Sequence, residues 1–363
     1  MKHIALFLPS LLGGGAERVM VTLANGFAEK GFSVDLVLVK QEGPYLSEVS
    51  SSVRIVDLKC SRVLFACFKL ASYLRWAKPE IILSTLEHAN IIAIWSKMLT
   101  AGKTKCVIRM PSTISVNVKY TNSFREKIIP WCLKFFYPWI DAIVVVSKVS
   151  AQDLVKFLGI GSSKVFLIYN PVVDDELFKK ANMELNHPWF TDKRIPVILG
   201  VGRLSKAKDF ATLIRAFALL REKQLVRLLI LGDGEDRKQL EILISKLGVQ
   251  EDVLLHGFVE NPFPYMKQAA VFALSSRWEG LPNALIQAIA LGTPVVATDC
   301  PGGTAEILED NRLGILVPMG DEQKFADALQ KSLDSKKMFV DTGMDRFKSD
   351  AIINQYLRLM KSL

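Results

Sequence analysis

The sequence predicts an α/β protein of two doubly wound domains, each a parallel sheet with helices on both faces. Short apolar runs alternate with longer segments of helical period along the chain, which is the pattern of parallel strands joined by helices. The alternation stops at a polar stretch, residues 174–195, and then restarts. A chain of 363 residues, 50% of them hydrophobic, is long enough to fill two cores.

The first domain is predicted over residues 1–173. Its first apolar run, residues 3–9, leads through a glycine loop into an amphipathic helix, residues 16–30, that ends at Gly31. A secretory signal peptide is an alternative for this start, but the helical segment that follows at once favours a buried strand. Further buried strands are expected at residues 34–39, 80–85, 105–109 and 142–147.

The second domain is predicted over residues 196–343, after a linker at residues 174–195. Residues 344–363 have apolar positions at helical spacing and are expected to pack back on the first domain as a helix. Open parallel sheets bind ligands outside the carboxyl ends of their strands, so we expect a ligand in a cleft between two facing domains. The strands of this domain are expected at residues 196–202, 226–232, 252–257, 270–275 and 294–299.

Charge and cysteine content restrict the class of protein. The net charge of +9 suggests an acidic partner, and because no basic tail or arginine-rich arm is present, anionic lipid or a phosphorylated substrate is favoured over nucleic acid. Five cysteines without a C-x-x-C pair and four scattered histidines argue against disulfides and a metal site, and fit a reducing cytosol. No apolar stretch approaches the ~18 residues that a membrane-spanning helix needs.

The glycine loop after the first strand, "LLGGGAERV", predicts an approach of backbone to an anionic ligand. Gly13 and Gly15 have the spacing of a dinucleotide-binding motif, but Arg18 stands where a small residue is needed. Asp35 is followed by apolar residues of the same strand, which also disfavours a nicotinamide cofactor. The loop's N–H groups at a helix start can still hold an anion, and a plain turn is the alternative.

Two cations follow the first strand of the second domain, in "LGVGRLSKAKDF". Arg203 and Lys208 lie after the strand's carboxyl end, framed by Gly200 and Gly202. A planar guanidinium and a compact ammonium together suit a diphosphate. Two solvated surface cations are the alternative.

An acid group lies in a turn between two apolar strands, in "SSRWEGLPNALIQAIALGTPVVATD". A helix begins near Pro282 or Asn283, and its first N–H groups, at 283–285, could hold a phosphate in the positive end of the helix dipole. Glu279 would repel that phosphate, so its carboxylate is better suited to accept from the hydroxyls of an attached sugar. Gln287, one turn deeper, can also accept from a hydroxyl. A solvated acid at a helix start is the alternative for Glu279.

Together these motifs resemble retaining glycosyltransferases of family 4. The resemblance rests on Glu279-Gly-Leu-Pro-Asn, "GTPVVATD", "GGTAEIL", "VGRLSKAKDF", "ILGDGEDR", "HGFVENPFPYM", "GGAERV" and "IYNPVV", in the family's order. It covers nearly the whole chain and is strongest with bacterial enzymes that extend polyprenyl-diphosphate-linked or lipopolysaccharide glycans. The resemblance implies the GT-B fold, in which a nucleotide sugar lies between two Rossmann-like domains.

The implied activity is a metal-independent retaining hexosyltransferase. It would move a hexose or N-acetylhexosamine from a UDP-sugar to a membrane lipid-linked glycan acceptor, in O-antigen, lipopolysaccharide or N-glycan precursor assembly, with an α linkage and no cofactor. Such an enzyme would be cytoplasmic and peripheral on the cytoplasmic face of the inner membrane, with an anionic membrane surface as partner. A catalytically weak sugar-nucleotide-binding protein and a GT-B sugar-nucleotide epimerase remain alternatives.

The resemblance also implies residue roles on the donor side. Arg203 and Lys208 would neutralise the departing diphosphate, and Glu279 would contact hydroxyls of the transferred sugar. The family usually has a second Glu at the ribose, where this chain has Gln287, so a charge-assisted hydrogen bond is lost. Phe258 and Val259 would line the base. The remaining donor-binding residues would be Gly14, Gly15, Gly202, Gly232, Gly280, Leu281, Pro282, Asn283, Ala284 and Leu285.

The acceptor side departs from the family after "KCVIR", where "RMPSTIS" supplies Arg109 but no acid or histidine. His88, in "STLEHAN", is a candidate catalytic residue in its place, and a structural histidine is the alternative. "FREKIIPWCLKFFYPW" mixes cations with aromatic residues, as helices on lipid surfaces do, and core packing is the alternative. We assign Arg109, Lys127, Trp131 and Lys134 to the acceptor or membrane. "DGED", residues 233–236, is expected to be a turn rather than a metal site.

Overall fold

The structure, a computed structural model, describes residues 2–100, 102–120, 124–192, 194–335 and 343–363, without the side chains of residues 117, 124–127 and 129. The chain divides into two compact units. The first comprises Met1–Pro171 together with Arg346–Leu363, and the second comprises Val172–Asp345. Each unit contains one parallel sheet with helices, so the predicted fold class is confirmed.

The first unit is built on a sheet of seven parallel strands in the order β3-β2-β1-β4-β5-β6-β7. β1 pairs with β2 on one side and with β4 on the other, so the strand order reverses between β1 and β4. The strands are β1 (His3–Leu8), β2 (Ser33–Leu38), β3 (Val53–Asp57), β4 (Ile81–Thr85), β5 (Lys105–Met110), β6 (Ala142–Val145) and β7 (Val165–Leu167).

Helices cover this sheet because the crossover between parallel strands needs a long connection, which here is helical. They are α1 (Gly15–Glu29), α2 (Ala66–Ala77), α3 (Glu87–Thr100), α4 (Ile114–Tyr120), α5 (Phe124–Phe136), α6 (Lys148–Leu158) and α15 (Ser349–Ser362). Short 3-10 helices lie at Pro44–Glu48, Val63–Phe65, Tyr137–Trp139, Ser162–Lys164 and Met344–Phe347. All five residues of β4 and all four of β6 are buried, as strands covered on both faces require.

The C-terminal helix α15 belongs to the first unit, where it contacts α1. Gly26 of α1 permits this contact, because a Cβ there would lie 2.2 Å from Ile353 Cδ1. Phe27 and the fully buried Tyr356 meet edge to face at 6.3 Å between ring centroids. Apolar residues at helical spacing thus give α15 its buried face.

The second unit is built on a sheet of six parallel strands in the order β10-β9-β8-β11-β12-β13. Here the order reverses between β8 and β11. The strands are β8 (Val197–Val201), β9 (Arg227–Leu231), β10 (Val253–Gly257), β11 (Val271–Leu274), β12 (Val295–Asp299) and β13 (Ile315–Pro318). The helices are α7 (Asp175–Ala181), α8 (Pro188–Thr191), α9 (Phe210–Arg221), α10 (Arg237–Leu247), α11 (Phe263–Gln268), α12 (Asn283–Ala290), α13 (Thr304–Leu308) and α14 (Glu322–Asp334).

Three strands were not expected from the sequence: β3, β7 and β13. All three lie at sheet edges. An edge strand is covered by fewer neighbours, and most residues of these strands are partly exposed. Their segments therefore lack the continuous apolar run that marks the central strands.

The segment 174–195, expected as a linker, contains α7 and α8 and lies within the second unit. Asp174 caps α7 by accepting from the Leu177 N–H at 2.9 Å. Asn261 Nδ2 donates to the Lys180 carbonyl at 3.0 Å, which ties the end of α7 to the approach to α11. Helices of seven and four residues are too short to show a period in the sequence, and this explains the difference.

Candidate functional site

Two loops of the second unit meet where the strand order of its sheet reverses. One follows β8 and carries Gly202, Arg203 and Lys208, and the other follows β11 and carries Glu279. β8 and β11 are neighbours in the sheet, although they are not consecutive in the chain. The carboxyl ends at such a switch point are where open α/β sheets bind ligands. The sequence-predicted donor residues of both loops thus lie together at the carboxyl ends of neighbouring central strands.

The loop after β8 is packed tightly enough to define the course of the Lys208 side chain. A Cβ on Gly202 would lie 3.1–3.3 Å from the Cγ, Cδ and Cε of Lys208, so the lysine stem lies against the glycine. A Cβ on Gly232 would lie 1.9 Å from the Gly202 carbonyl oxygen. Both glycines therefore allow close packing, which places the Lys208 ammonium at the carboxyl ends of the strands.

Lys208 and Glu279 form an ion pair across the switch point. Lys208 Nζ lies 2.5 Å from Glu279 Oε1, and the side chains are 22% and 11% exposed. Ser276 Oγ donates to the same Oε1 at 2.6 Å. The ammonium compensates the carboxylate's charge, which removes much of the repulsion that Glu279 would exert on a nearby phosphate. An ammonium has three donors, so Lys208 can meet an anionic ligand in addition to Glu279.

The main chain around Glu279 is held by the loop after β12. The Glu279 N–H donates to the Pro301 carbonyl at 2.9 Å, and the Gly303 N–H donates to the Gly280 carbonyl at 2.8 Å. Gly302 has φ 132° and its missing Cβ would lie 2.3 Å from the Glu279 carbonyl oxygen, so only glycine fits. Sequence reasoning missed Ser276 and Gly302, although "SS" at a strand's carboxyl end and "PGG" after the next strand were available signals.

The other predicted donor residues of the second unit differ in how exposed to solvent they are. Arg203 is exposed and makes no ion pair or hydrogen bond with any residue that the structure describes. Phe258 is 52% exposed, as a side chain that stacks on a base would need to be, and Val259 is partly exposed. Gly280, Leu281 and Pro282 are buried in the turn that leads to α12.

Helix α12 begins at Asn283, with Pro282 at the N-cap position and no side-chain cap. The helix therefore starts where the sequence predicts, near Pro282 or Asn283. The Leu285 N–H donates to the Pro282 carbonyl at 3.1 Å, which places it in the helix's first turn. Ala284 lies beside it and is partly exposed.

Gln287 lies one turn into α12 and is 9% exposed. Its side-chain amide makes no hydrogen bond within the described part of the chain. The amide atoms are not among the fully buried polar atoms without a partner, so they keep some contact with solvent. Gln287 is thus a polar group that a ligand hydroxyl could satisfy.

The "DGED" segment is a turn that packs on the loop after β8. The Leu204 N–H donates to the Asp233 carbonyl, and the Asp236 N–H donates to the Leu204 carbonyl, both at 3.0 Å. Burial and the charge of Glu235 raise the pKa of Asp236. Among the described residues, no three His, Cys, Asp or Glu side chains are grouped in a way that could hold a metal ion.

In the first unit, the glycine loop leads into α1, whose N-cap is Gly14 and whose first residue is Gly15. A Cβ on Gly14 would lie 2.2 Å from Glu17 Oε2, so the chain's own carboxylate lies over the helix start. The Glu17 carboxylate would therefore repel an anionic ligand at the start of α1. Sequence reasoning missed Glu17, which is an acid in the first turn of a helix, where acids are favoured.

His88 is exposed in the first turn of α3, at the carboxyl end of β4. Leu86, immediately before α3, has φ 74°, an uncommon conformation for a bulky residue. The neighbouring Glu87 accepts a hydrogen bond from Ser112 Oγ at 2.7 Å. The strand order of this sheet also reverses beside β4, so His88 lies at the switch point of the first unit.

Arg109 is buried, with 1% of its surface exposed, and the assignment of this residue to an acceptor or membrane surface is wrong. Its Nη1 donates to Thr85 Oγ1 at 3.1 Å and its Nη2 donates to Asn170 Oδ1 at 2.5 Å. Burial lowers the pKa of Arg109, and the nearby Tyr356 and Glu17 oppose that effect. The guanidinium holds elements of its own unit together instead of facing solvent.

Several large apolar side chains of the first unit are exposed. Trp131 is 74% exposed and Phe135, one turn along α5, is 68% exposed, and Lys134 beside them is also exposed. The side chain of Lys127 lies outside the described residues. No helix in the described ranges has the length and apolar character needed to cross a bilayer. Trp131, Phe135 and Trp139, on α5 and just after it, form an exposed group here called the aromatic patch. Leu64, Phe65 and Phe68 are also exposed, at and before the start of α2.

Two family models match the chain, one to each half. The model described as Glycosyltransferase Family 4 matches residues 13–176, and the model described as Glycosyl transferases group 1 matches residues 195–335. Their junction lies close to the boundary between the two units. The resemblance drawn from the sequence motifs is therefore confirmed.

Curated relatives and solved structures agree with these models. A Campylobacter jejuni N-acetylgalactosamine-N,N'-diacetylbacillosaminyl-diphospho-undecaprenol 4-alpha-N-acetylgalactosaminyltransferase is 33% identical over 93% of this chain and 92% of its own. A GalNAc-alpha-(1->4)-GalNAc-alpha-(1->3)-diNAcBac-PP-undecaprenol alpha-1,4-N-acetyl-D-galactosaminyltransferase from the same organism is 27% identical over 99% and 98%. The crystal structure of Anabaena Alr3699/HepE with UDP has the same fold, with a TM-score of 0.79 at 20% identity and full coverage of both chains. The chain belongs to glycosyltransferase family 4 and is a hexosyltransferase.

Proposed function

We propose that this enzyme transfers a hexose or N-acetylhexosamine from a UDP-sugar to a membrane lipid-linked glycan, with retention and an α linkage. The observation that carries the proposal is the Lys208–Glu279 pair at the switch point of the second sheet. The pair brings together a cation that would suit a diphosphate and an acceptor that would suit sugar hydroxyls. The diphosphate and the sugar are the two parts of a nucleotide sugar on either side of the bond that breaks.

The proposed chemistry is stabilisation of the leaving group. As the bond between the sugar and the diphosphate breaks, negative charge grows on the diphosphate, and Lys208 with Arg203 would neutralise it. Positive charge grows on the sugar in an oxocarbenium-like transition state, and Glu279 would orient that sugar through its hydroxyls. With two cations and a helix N-terminus for the diphosphate, we propose that the reaction needs no metal ion.

Donor and acceptor classes come from the relatives. Both Campylobacter names describe the transfer of N-acetylgalactosamine to a diphospho-undecaprenol-linked glycan, and the Anabaena protein was crystallised with UDP. Within the binding site, Gln287 would accept from a ribose hydroxyl, and Phe258 with Val259 would contact the base. His88 would act on the acceptor side, at the switch point of the first unit.

The aromatic patch supports a peripheral position on a membrane. Trp131 and Phe135 are exposed on α5 with Lys134 between them, and Phe65 and Phe68 are exposed at the start of α2. Aromatic side chains favour the membrane interface, and cations are attracted to anionic headgroups. A net charge of +9 favours the same surface. The proposed location is the cytoplasmic face of the inner membrane, where a lipid-linked acceptor would be within reach.

The test is transfer from UDP-glucose, UDP-galactose, UDP-N-acetylglucosamine and UDP-N-acetylgalactosamine to polyprenyl-diphosphate-linked oligosaccharides, followed by mass spectrometry and anomeric analysis. We expect an α-linked product with one of the four donors. Lys208→Ala and Glu279→Ala should each lower kcat/KM by about 10²–10³-fold, the usual cost of losing one electrostatic group from a site.

Lys246→Ala and Glu251→Ala are matched controls, because both side chains are exposed on the second unit away from the two loops. They should leave transfer unchanged. Nucleotide-sugar binding without transfer, and without an effect of Glu279→Ala, would contradict the proposal and favour a binding protein. Sugar conversion without any acceptor would favour an epimerase.

A further inference from the structure

Glu279 Oε1 accepts two hydrogen bonds, one from Lys208 Nζ at 2.5 Å and one from Ser276 Oγ at 2.6 Å. We propose that Ser276 is a positioning residue, which keeps the Glu279 carboxylate in place when Lys208 also binds the donor diphosphate. This inference rests on the proposed function. It assigns a role to a side chain that contacts neither the sugar nor the phosphate.

The main chain that carries the Ser276 hydroxyl is buried and hydrogen-bonded to the next strand. Ser276 is fully buried, directly beyond β11, and its carbonyl accepts from Thr298 Oγ1 of β12 at 2.5 Å. The preceding Ser275 donates from its Oγ to the Lys208 carbonyl at 2.8 Å. Ser275 thus fixes the main chain of Lys208, and Ser276 fixes the side chain of Glu279. A buried serine has one rotatable bond to its oxygen, so its hydrogen bond costs little conformational entropy.

The main chain of Glu279 and Gly280 is already fixed on the other side, by hydrogen bonds with Pro301 and Gly303. The Glu279 side chain has three rotatable bonds, and both Lys208 and Ser276 donate to its Oε1. In the proposed reaction the Lys208 ammonium also binds the diphosphate, so it would hold the carboxylate less firmly. The Ser276 hydroxyl takes no part in binding the diphosphate, so its hydrogen bond would persist and keep the carboxylate towards the sugar hydroxyls.

The geometry therefore predicts different effects on the two parts of the donor. Ser276→Ala should leave the Kd of UDP within about twofold of wild type, because UDP lacks the sugar that Glu279 contacts. It should lower kcat/KM for the UDP-sugar about tenfold or more, the scale of a lost hydrogen bond to a charged group. Calorimetry with UDP and steady-state kinetics with the preferred donor measure the two quantities.

A double-mutant cycle tests whether Ser276 acts through Glu279. In a Glu279→Ala background, Ser276→Ala should cause no further loss of kcat/KM. Ser332→Ala removes another buried serine hydroxyl, on α14 of the same unit, and is the matched control. It should leave kcat/KM and UDP binding unchanged. Thermal unfolding of each variant reports whether the fold is retained.

Three outcomes would overturn the inference while wild-type transfer stands: an active Ser276→Ala enzyme with unchanged kcat/KM, equal losses of UDP and UDP-sugar affinity, or a full additional loss in the Glu279→Ala background. The last two would give Ser276 a general structural role. Failure of the proposed function would look different, since wild-type enzyme would then show no transfer with any of the four donors.

Discussion

At the residue scale, Gln287 is the position where the sequence resemblance implies a second glutamate. Its amide is 9% exposed in α12 and makes no hydrogen bond within the described ranges of the chain. A neutral amide tolerates this position better than a carboxylate would, because an unpaired buried charge loses far more hydration. The same position would give a carboxylate a stronger hydrogen bond from a ligand hydroxyl. We therefore expect a carboxylate at this position to raise donor affinity and to lower the stability of the unliganded protein.

Gln287→Glu should separate these two effects. We expect the Kd of UDP to fall about fivefold, equivalent to about 1 kcal/mol from a charge-assisted hydrogen bond to the ribose. The melting temperature without ligand should fall, since the new carboxylate is buried. Calorimetry and thermal unfolding measure the two changes. Gln268→Glu adds the same charge at an exposed position of α11 and should change neither. An unchanged or weaker UDP affinity would contradict the proposed contact between residue 287 and the ribose.

At the element scale, a buried ionic cluster joins three strands and a helix of the first unit. Asp35 of β2 accepts from Arg54 Nε of β3 at 2.8 Å and from Tyr73 OH of α2 at 2.6 Å, and lies 3.0 Å from His3 Nε2 of β1. Burial opposes ionisation of Asp35, but the hydrogen bonds from Arg54 and Tyr73 outweigh it, so its pKa is lowered. In a dinucleotide-binding site, Asp35 would face a ribose. Here it is hydrogen-bonded to side chains of its own unit instead.

Because the pKa of Asp35 is lowered in the folded protein, its contribution to the free energy of unfolding should depend on pH. A carboxyl that is more acidic folded than unfolded stabilises the fold above its unfolded pKa of about 3.9, and this contribution is lost as pH falls through the lower folded value. Asp35→Asn should therefore lower the free energy of unfolding at pH 7. Breaking a buried pair costs about 3–5 kcal/mol, and the half-exposed Arg54 reduces our expectation to about 2 kcal/mol.

Urea unfolding between pH 3 and 7 measures this difference, which should shrink below about pH 4. Glu184→Gln removes an exposed acid and should have little effect at any pH. A constant difference between wild type and Asp35→Asn across the whole range would show that the carboxylate's charge does not matter, only its hydrogen bonds.

At the scale of the whole molecule, the sequence predicted the two sheets because buried central strands are continuous apolar runs. Edge strands such as β3 and β13 were missed because they are only half covered. Lys208 and Glu279 could be predicted from glycine loops at strand ends, but their direct pairing could not, since 71 residues separate them. Arg109 was misassigned because a charge in a sequence gives no sign that buried Thr85 and Asn170 will accept hydrogen bonds from it.

The largest feature that the fold leaves unexplained is the aromatic patch of the first unit. Packing accounts for part of α5, where Phe136 meets Trp95 edge to face at 5.9 Å. It does not account for Trp131, which is 74% exposed, or for Phe135, at 68%. A large exposed apolar patch marks an interaction surface, and the adjacent Lys134 favours an anionic one. We therefore expect the whole enzyme to bind vesicles through this patch.

Vesicles of phosphatidylglycerol and phosphatidylethanolamine should sediment the wild-type protein, and binding should weaken as salt rises. Trp131→Ala with Phe135→Ala should reduce binding at every salt concentration, because apolar insertion is not screened. Lys127→Glu with Lys134→Glu should reduce it mainly at low salt. Lys246→Glu makes one matched change on the exposed face of α10 in the second unit and should leave binding near wild type. If the aromatic and lysine variants bind as wild type does, the patch serves a partner other than lipid, and the acceptor reaches the enzyme by another surface.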